Sequence, residues 1–145
     1  MKRGFILIML FAQLALATEK DSSGTIIIEM INFKNDQGKV RVSLFASKDG
    51  FPNDYKKAHA YVTETINTER TRVVFEDIPY GEYAIGILHD ENMDSKLNTN
   101  WLGMPKEGIA ASNNAKAMFG PPSFEKASFI LNADSLKQEI KIEYF

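Results

Sequence analysis

In the stretch KVRVSLFA, residues 39–46, the apolar residues Val40, Val42, Leu44 and Ala46 alternate with Arg41, Ser43 and Phe45. Successive side chains of an extended strand point to opposite faces, so this alternation gives one apolar face and one mixed face. Similar short segments follow one another along the chain: TIIIEMINF (25–33), AYVTETI (60–66), TRVVFEDI (71–78), EYAIGILHD (82–90), KASFIL (126–131) and QEIKIEYF (138–145). A chain patterned at period two over seven short segments, with no amphipathic helix of normal length, has to build sheets. In EYAIGILHD, Tyr83, Ile85, Ile87 and His89 fall on one side and Ala84, Gly86 and Leu88 on the other. Both faces are largely apolar, which predicts a central strand.

Turn-forming residues separate the segments. KNDQG (34–38) and NTER (67–70) read as hairpin connections, and PYG (79–81) turns the chain into the central strand. SKDGFPNDYKKA (47–58) reads as a loop with a turn of helix near Asp54–Ala58. From Asp90 to Phe124 the alternation stops for 35 residues, a connection long enough to be functional or internally structured. The expected fold is therefore all-β: an antiparallel two-sheet sandwich of about seven strands, immunoglobulin-like or transthyretin-like, with one long irregular loop at about 90–124.

The first 17 residues, MKRGFILIMLFAQLALA, combine a basic start at Lys2 and Arg3, a short apolar run and an Ala-Leu-Ala end. This is the pattern of a secretory signal peptide, and its apolar run is too short for a bilayer-spanning helix. The expected organisation is a signal peptide at 1–17, a polar leader at 18–24 and a single sandwich domain at 25–145, with no transmembrane segment after cleavage. Cleavage leaves 15 basic against 19 acidic residues, so nucleic acid is not an expected partner. The chain has no cysteine, which excludes disulfides, thiolate catalysis and cysteine-ligated zinc; the fold rests on its core alone.

The ordered motifs FEDIPYGEYAIGILHDEN, LGMPKEG, SNNA and GPPSFEKASF resemble a bacterial exported family known as domain of unknown function twenty-one forty-one. The resemblance spans the mature chain and is densest over 75–129. It implies a β-sandwich behind a signal peptide and carries no activity with it. Members of that family show a loop of the form N-G-N-G-K-L-D after HDEN; here Ser95 stands at a glycine and Asn98 at a carboxylate.

The stretch HDENMDSKLNTN places Asp90, Asn92, Asp94 and Asn98 at alternate positions, as a calcium loop of the EF-hand type does. On that template Asp90, Asn92 and Asp94 are side-chain ligands, Lys96 offers its backbone carbonyl and Asn98 follows. Ser95 replaces the turn glycine and Trp101 replaces the closing glutamate, leaving Glu91 and Glu107 as the carboxylates able to complete a shell. The first reading is a polar loop capping its own backbone amides; the second is a weak calcium site, calcium being the one cofactor the sequence suggests.

Two histidines, His59 and His89, raise the question of catalysis. His89 adjoins Asp90 and Glu91, but no nucleophile elbow, zinc motif or phosphate loop accompanies it, and a histidine ending a buried strand is expected to be packed. Trp101, Met104, Met118, Phe119 and Phe124 are expected to fold back and cap one end of the sandwich. The expected function is an exported, non-catalytic binding or structural module, periplasmic or extracellular, for an unknown protein or surface ligand. The alternative is a periplasmic or surface hydrolase using His89 and its neighbouring carboxylates.

Overall fold

The computed structural model describes residues 22–145; the expected signal peptide and most of the polar leader lie outside the described residues. The chain forms eight strands: β1 (Ser23–Ile31), β2 (Lys39–Phe45), β3 (Ala60–Glu64), β4 (Thr71–Pro79), β5 (Gly81–Asp90), β6 (Gly108–Ala111), β7 (Phe129–Leu131) and β8 (Ser135–Lys141). They build two sheets. One has the order β4-β1-β8; the other has β3-β2-β5-β6, with β7 added alongside the start of β5. The β1–β8 pair is parallel and the other strand pairs are antiparallel, so the sandwich is mixed at one position.

Alternation converts directly into packing. Ile26, Ile28 and Met30 of β1, Val40, Val42 and Leu44 of β2, and Tyr83, Ile85 and Ile87 of β5 are buried in one cluster with Val73, Phe75, Ile140 and Ile142. Each such side chain contributes about 1.5–3 kcal/mol through burial. As expected, β5 is central: its residues 83–87 are buried consecutively, because its outer face is also covered. There Ala84 packs with Ala111 and Ala127, backed by Phe51 and Phe124. Gly86 makes that covering possible, since a Cβ at this position would lie 2.6 Å from the Pro52 carbonyl oxygen.

The two expected hairpins are corrected. β1 and β4 pair with each other, whereas β2 and β3 belong to the other sheet, so KNDQG and NTER both carry the chain across the sandwich. Alternation specifies a buried face without specifying which sheet supplies it, and turn residues reverse a chain without choosing its neighbour. Ile66 is buried in the core at the NTER crossing, where the Thr71 hydroxyl accepts from the Asn67 N–H and donates to its carbonyl. At the other crossing Gly38 has φ 69°, and a Cβ there would stand 2.0 Å from the Asp90 carbonyl oxygen. Only glycine fits.

The long connection is also more regular than its sequence suggests. It contains β6, a 3-10 turn at Ser112–Asn114, a small Thr99–Pro105 bridge and the short helix α1 (Phe124–Ala127). The segment expected as a strand from 126 begins only at Phe129, after α1, and the last strand runs over 135–141 instead of 138–145. The expected helical turn near Asp54 is a 3-10 turn at Tyr55–Lys57, capped by the Asp54 side chain. Among the described residues, no helix is long and apolar enough to cross a membrane.

Candidate functional site

β5 delivers His89 and Asp90 to one end of the sandwich as successive buried residues, and the two diverge. His89 is fully buried on the core side. Its Nε2 lies 2.7 Å from the Gln37 carbonyl oxygen and its Nδ1 2.7 Å from the Tyr144 hydroxyl. A carbonyl only accepts, so Nε2 carries the hydrogen, and in the neutral imidazole the Tyr144 hydroxyl donates to Nδ1. Tyr144 accepts in turn from the Lys34 N–H, and Phe33 and Tyr144 pack edge-on against the imidazole. Both nitrogens are therefore engaged and the ring has no open side for a substrate. His59 lies beside Tyr83, at the other end of β5, so the two histidines do not form a pair.

Asp90 points into the loop that follows. Its Oδ1 accepts from the Asp94 N–H and its Oδ2 from the Ser95 N–H. Asp94 is a second centre: Oδ1 accepts from the Lys96 N–H, and Oδ2 from the side-chain amides of Asn92 and Asn98. The Asn92 amide also donates to Asn98 Oδ1. The sequence-expected residues Asp90, Asn92, Asp94 and Asn98 are thus brought together, while Lys96 takes part through its backbone N–H. These contacts hold Asp94 below the ordinary carboxylate range, chiefly through the Asn98 hydrogen bond.

Glu107 closes the loop from its far end. It is buried, with Oε1 accepting from the Glu91 N–H and Oε2 from the Asn98 N–H. Burial pushes its carboxyl up, with further upward contributions from the charges of Asp90 and Asp94. The negative charges at both ends of this loop therefore feel one another. Sequence spacing named Glu107 as one of two candidates; the Thr99–Pro105 bridge, which doubles the chain back, is what brings it close. Glu91 faces elsewhere, toward Asn35 and Lys34. Met93 and Ser95 both adopt positive φ, 59° and 65°. Among the described residues no three His, Asp or Glu side chains form a metal-binding group; a cation in this loop would also need the amide oxygens of Asn92 and Asn98.

The expected apolar cap is corrected as well. Trp101 is 90% exposed at the turn of the small hairpin, Met118 and Phe119 are 90% and 88% exposed, and Met104 is 43% exposed. Of the five, only Phe124 packs inward, against Phe51. His89, Phe33 and Tyr144 pack against one another at the end of β5 without them. Large apolar groups held outward on loop tips are a feature of interaction surfaces.

The SNNA motif has a role that residue type alone did not reveal. Ser112 is fully buried; its hydroxyl accepts from the Ile85 N–H and donates to the Ala127 carbonyl. Asn114 accepts from the Lys141 N–H and donates to the Glu139 carbonyl, matching backbone groups of β8 with its side-chain amide.

The structure is a two-sheet sandwich with a carboxylate-centred polar loop after β5 and exposed apolar side chains at Trp101, Leu102, Met118 and Phe119. A family model described as "Uncharacterized protein conserved in bacteria (DUF2141)" matches residues 28–139, and the chain belongs to that family. No curated protein and no solved structure matches the chain.

Proposed function

We propose that this protein is an exported, non-catalytic binding module acting in the periplasm or outside the cell. In this reading, calcium tightens the 90–107 loop as a platform for a protein or surface ligand. The observation that carries it is the convergence of Asp90, Asn92, Asp94 and Asn98, with Glu107 bracing the same loop. Each carboxylate oxygen that accepts one loop amide keeps a second lone pair for a cation. The crowded negative charge would fall on binding a divalent ion. Export is supported by the sequence pattern of residues 1–17. The hydrolase reading loses its principal residue, because both His89 nitrogens are engaged inside the core.

A thermal melt in calcium, magnesium or chelator tests the platform. An incomplete shell gives a dissociation constant of order 0.1–1 mM. About 2 mM calcium then stabilises the fold by roughly 0.6–1.8 kcal/mol, a rise of a few degrees in Tm for a domain of this size. Magnesium does less, since it demands a tighter octahedral shell. Asp94→Ala abolishes the calcium shift. Identical melts in calcium and chelator would leave the stretch as a self-capped polar loop. N-terminal sequencing of exported protein is expected to begin at Thr18; Met1 retained on most of it would refute processing.

A further inference from the structure

The segment from Asn98 to Lys106 is a small hairpin fixed by its own backbone. Thr99 and Pro105 form its bridge. The Asn100 N–H donates to the Met104 carbonyl and the Lys106 N–H to the Asn98 carbonyl, both at 2.8 Å. One side chain closes the turn: Asn100 Oδ1 accepts from the Leu102 N–H at 2.9 Å and from the Met104 N–H at 3.0 Å. The Asn100 carbonyl accepts in addition from the Gly103 N–H. Gly103 has φ 78°, and a Cβ there would meet no atom within 4 Å, so the turn is open to solvent at that point.

Four successive residues at this turn, Trp101, Leu102, Gly103 and Met104, are exposed and carry no polar side chain. A run of this kind on a surface is an error of patterning unless it serves contact with something else. Between Asp94 and Glu107 the only charged residues are Lys96 and Lys106, and neither forms an ion pair among the described residues. Lys96 acts on the exposed Asp94 through its charge, which leaves Lys106 as the unbalanced cation of the hairpin. Lys106 pairs with Asn98, two residues behind the Asn100 and Met104 pair. At the rise of an extended chain that is about 7 Å behind the tip.

We propose that this tip docks the protein on a lipid bilayer with anionic headgroups, Trp101, Leu102 and Met104 entering the interface and Lys106 meeting the phosphates. Apolar groups of peripheral proteins enter the boundary between headgroups and acyl chains by about 5–10 Å, a depth that leaves Lys106 at headgroup level, where a basic residue is favoured. Tryptophan suits that boundary, since its ring is apolar and its N–H remains wet. A protein partner fits less well: a stable interface takes about 800 Å² from each side, whereas this is a projection of three side chains. So small an insertion gives reversible attachment. The proposal rests on reading the chain as an exported binding module and names the surface it binds; it does not require calcium.

Trp101 is the only tryptophan of the chain, so tryptophan fluorescence reports the tip alone. The full chain, in chelator, is titrated with vesicles of phosphatidylglycerol and phosphatidylethanolamine in equal parts. The emission should shift to the blue and be quenched by bromine-labelled acyl chains, and vesicles of phosphatidylcholine should bind at least about fivefold more weakly. Lys106→Glu should weaken binding at least about tenfold, and Leu102→Asp should abolish the acyl-chain quenching while keeping the reporter. Leu102→Asp, made in the full chain, also separates tip insertion from any attachment through residues 1–17. If either variant fails to fold, quenching of the wild type decides. An emission unmoved by anionic vesicles overturns the proposal and returns the tip to a protein partner. Equal binding to phosphatidylcholine, unaltered quenching in Leu102→Asp, or a shift that follows protein concentration without vesicles, the mark of a second copy on the tip, overturns it too. Insertion in chelator with identical melts in calcium and chelator sustains the docking and removes the calcium platform; a calcium-dependent melt with Trp101 unmoved by vesicles does the reverse.

Discussion

The two halves of the long connection after β5 reach the same result by different chemistry. Residues 91–107 are held by carboxylates: Asp90 and Glu107, both buried, accept from four amides of the loop itself. Residues 112–123 are rooted by a hydroxyl and two amides. Ser112, Asn113 and Asn114 bond to β5, to the chain around α1 and to β8. Each half then releases apolar side chains into solvent, Trp101 and Leu102 in the first, Met118 and Phe119 in the second. The comparison teaches that bracing and exposure are separate properties. It also teaches that only the charged half should respond to protons or cations.

The largest effect is expected beneath the first half. His89→Ala removes a fully buried ring and leaves the Tyr144 hydroxyl and the Gln37 carbonyl without their partner. It should cost about 3–5 kcal/mol in denaturant unfolding, from a cavity plus unsatisfied polar groups. A loss below about 1 kcal/mol would show that this end of the sandwich repacks freely.

Asn114→Ala strikes the second half, deleting two hydrogen bonds to β8. About 1–2 kcal/mol should be lost, and any calcium-induced rise in Tm should be the same as in the wild type. A calcium shift that vanished in this variant would show that the two halves are one mechanical unit.

Glu107→Gln sharpens the contrast through pH. A carboxyl whose pKa is raised on folding binds its proton more tightly in the native state. Stability from this group is therefore present below the unfolded value of 4.5 and falls as pH rises from there toward the folded pKa. Asp94 has the opposite sign: its lowered pKa contributes stability above 3.8 that is lost as pH falls. Measured from about pH 4.5 upward, the variant should show a flatter stability profile than the wild type, with a difference under about 1 kcal/mol at neutral pH. Parallel profiles would show that neither burial nor the charges of Asp90 and Asp94 raise the Glu107 carboxyl.

The smallest effects belong to the two tips. Trp101→Ser and Phe119→Ser should each change stability by no more than about 0.5 kcal/mol, because neither side chain is buried. A loss near 2 kcal/mol in either would mean that the tip folds back onto the protein after all.

Much of the sandwich was legible because alternation at period two is a local code. Val40, Val42 and Leu44 announce their shared face within six residues, and that face is the buried one. The polar loop was legible for the same reason, since Asp90, Asn92, Asp94 and Asn98 are close enough in sequence to meet in one turn. His89 was read correctly as a packed residue, although its partners Gln37 and Tyr144 lie 52 and 55 positions away and could not be named. The tips were misread because burial preference is an average over residue types, whereas exposure depends on whether the core has room.

What the sequence determined by itself was the all-β character, the identity of the core faces and the composition of the 90–98 loop, all consequences of neighbours in the chain. The tertiary structure alone decided which sheet each strand joins and that β1 and β8 run parallel. It also brought Glu107 to the loop that begins at Asp90, and seated Arg41 between Tyr55, Tyr61 and Ser95. These pairings join residues far apart in sequence, and a strand's alternation is the same whichever neighbour it has, so only the closing of the whole sandwich selects among them.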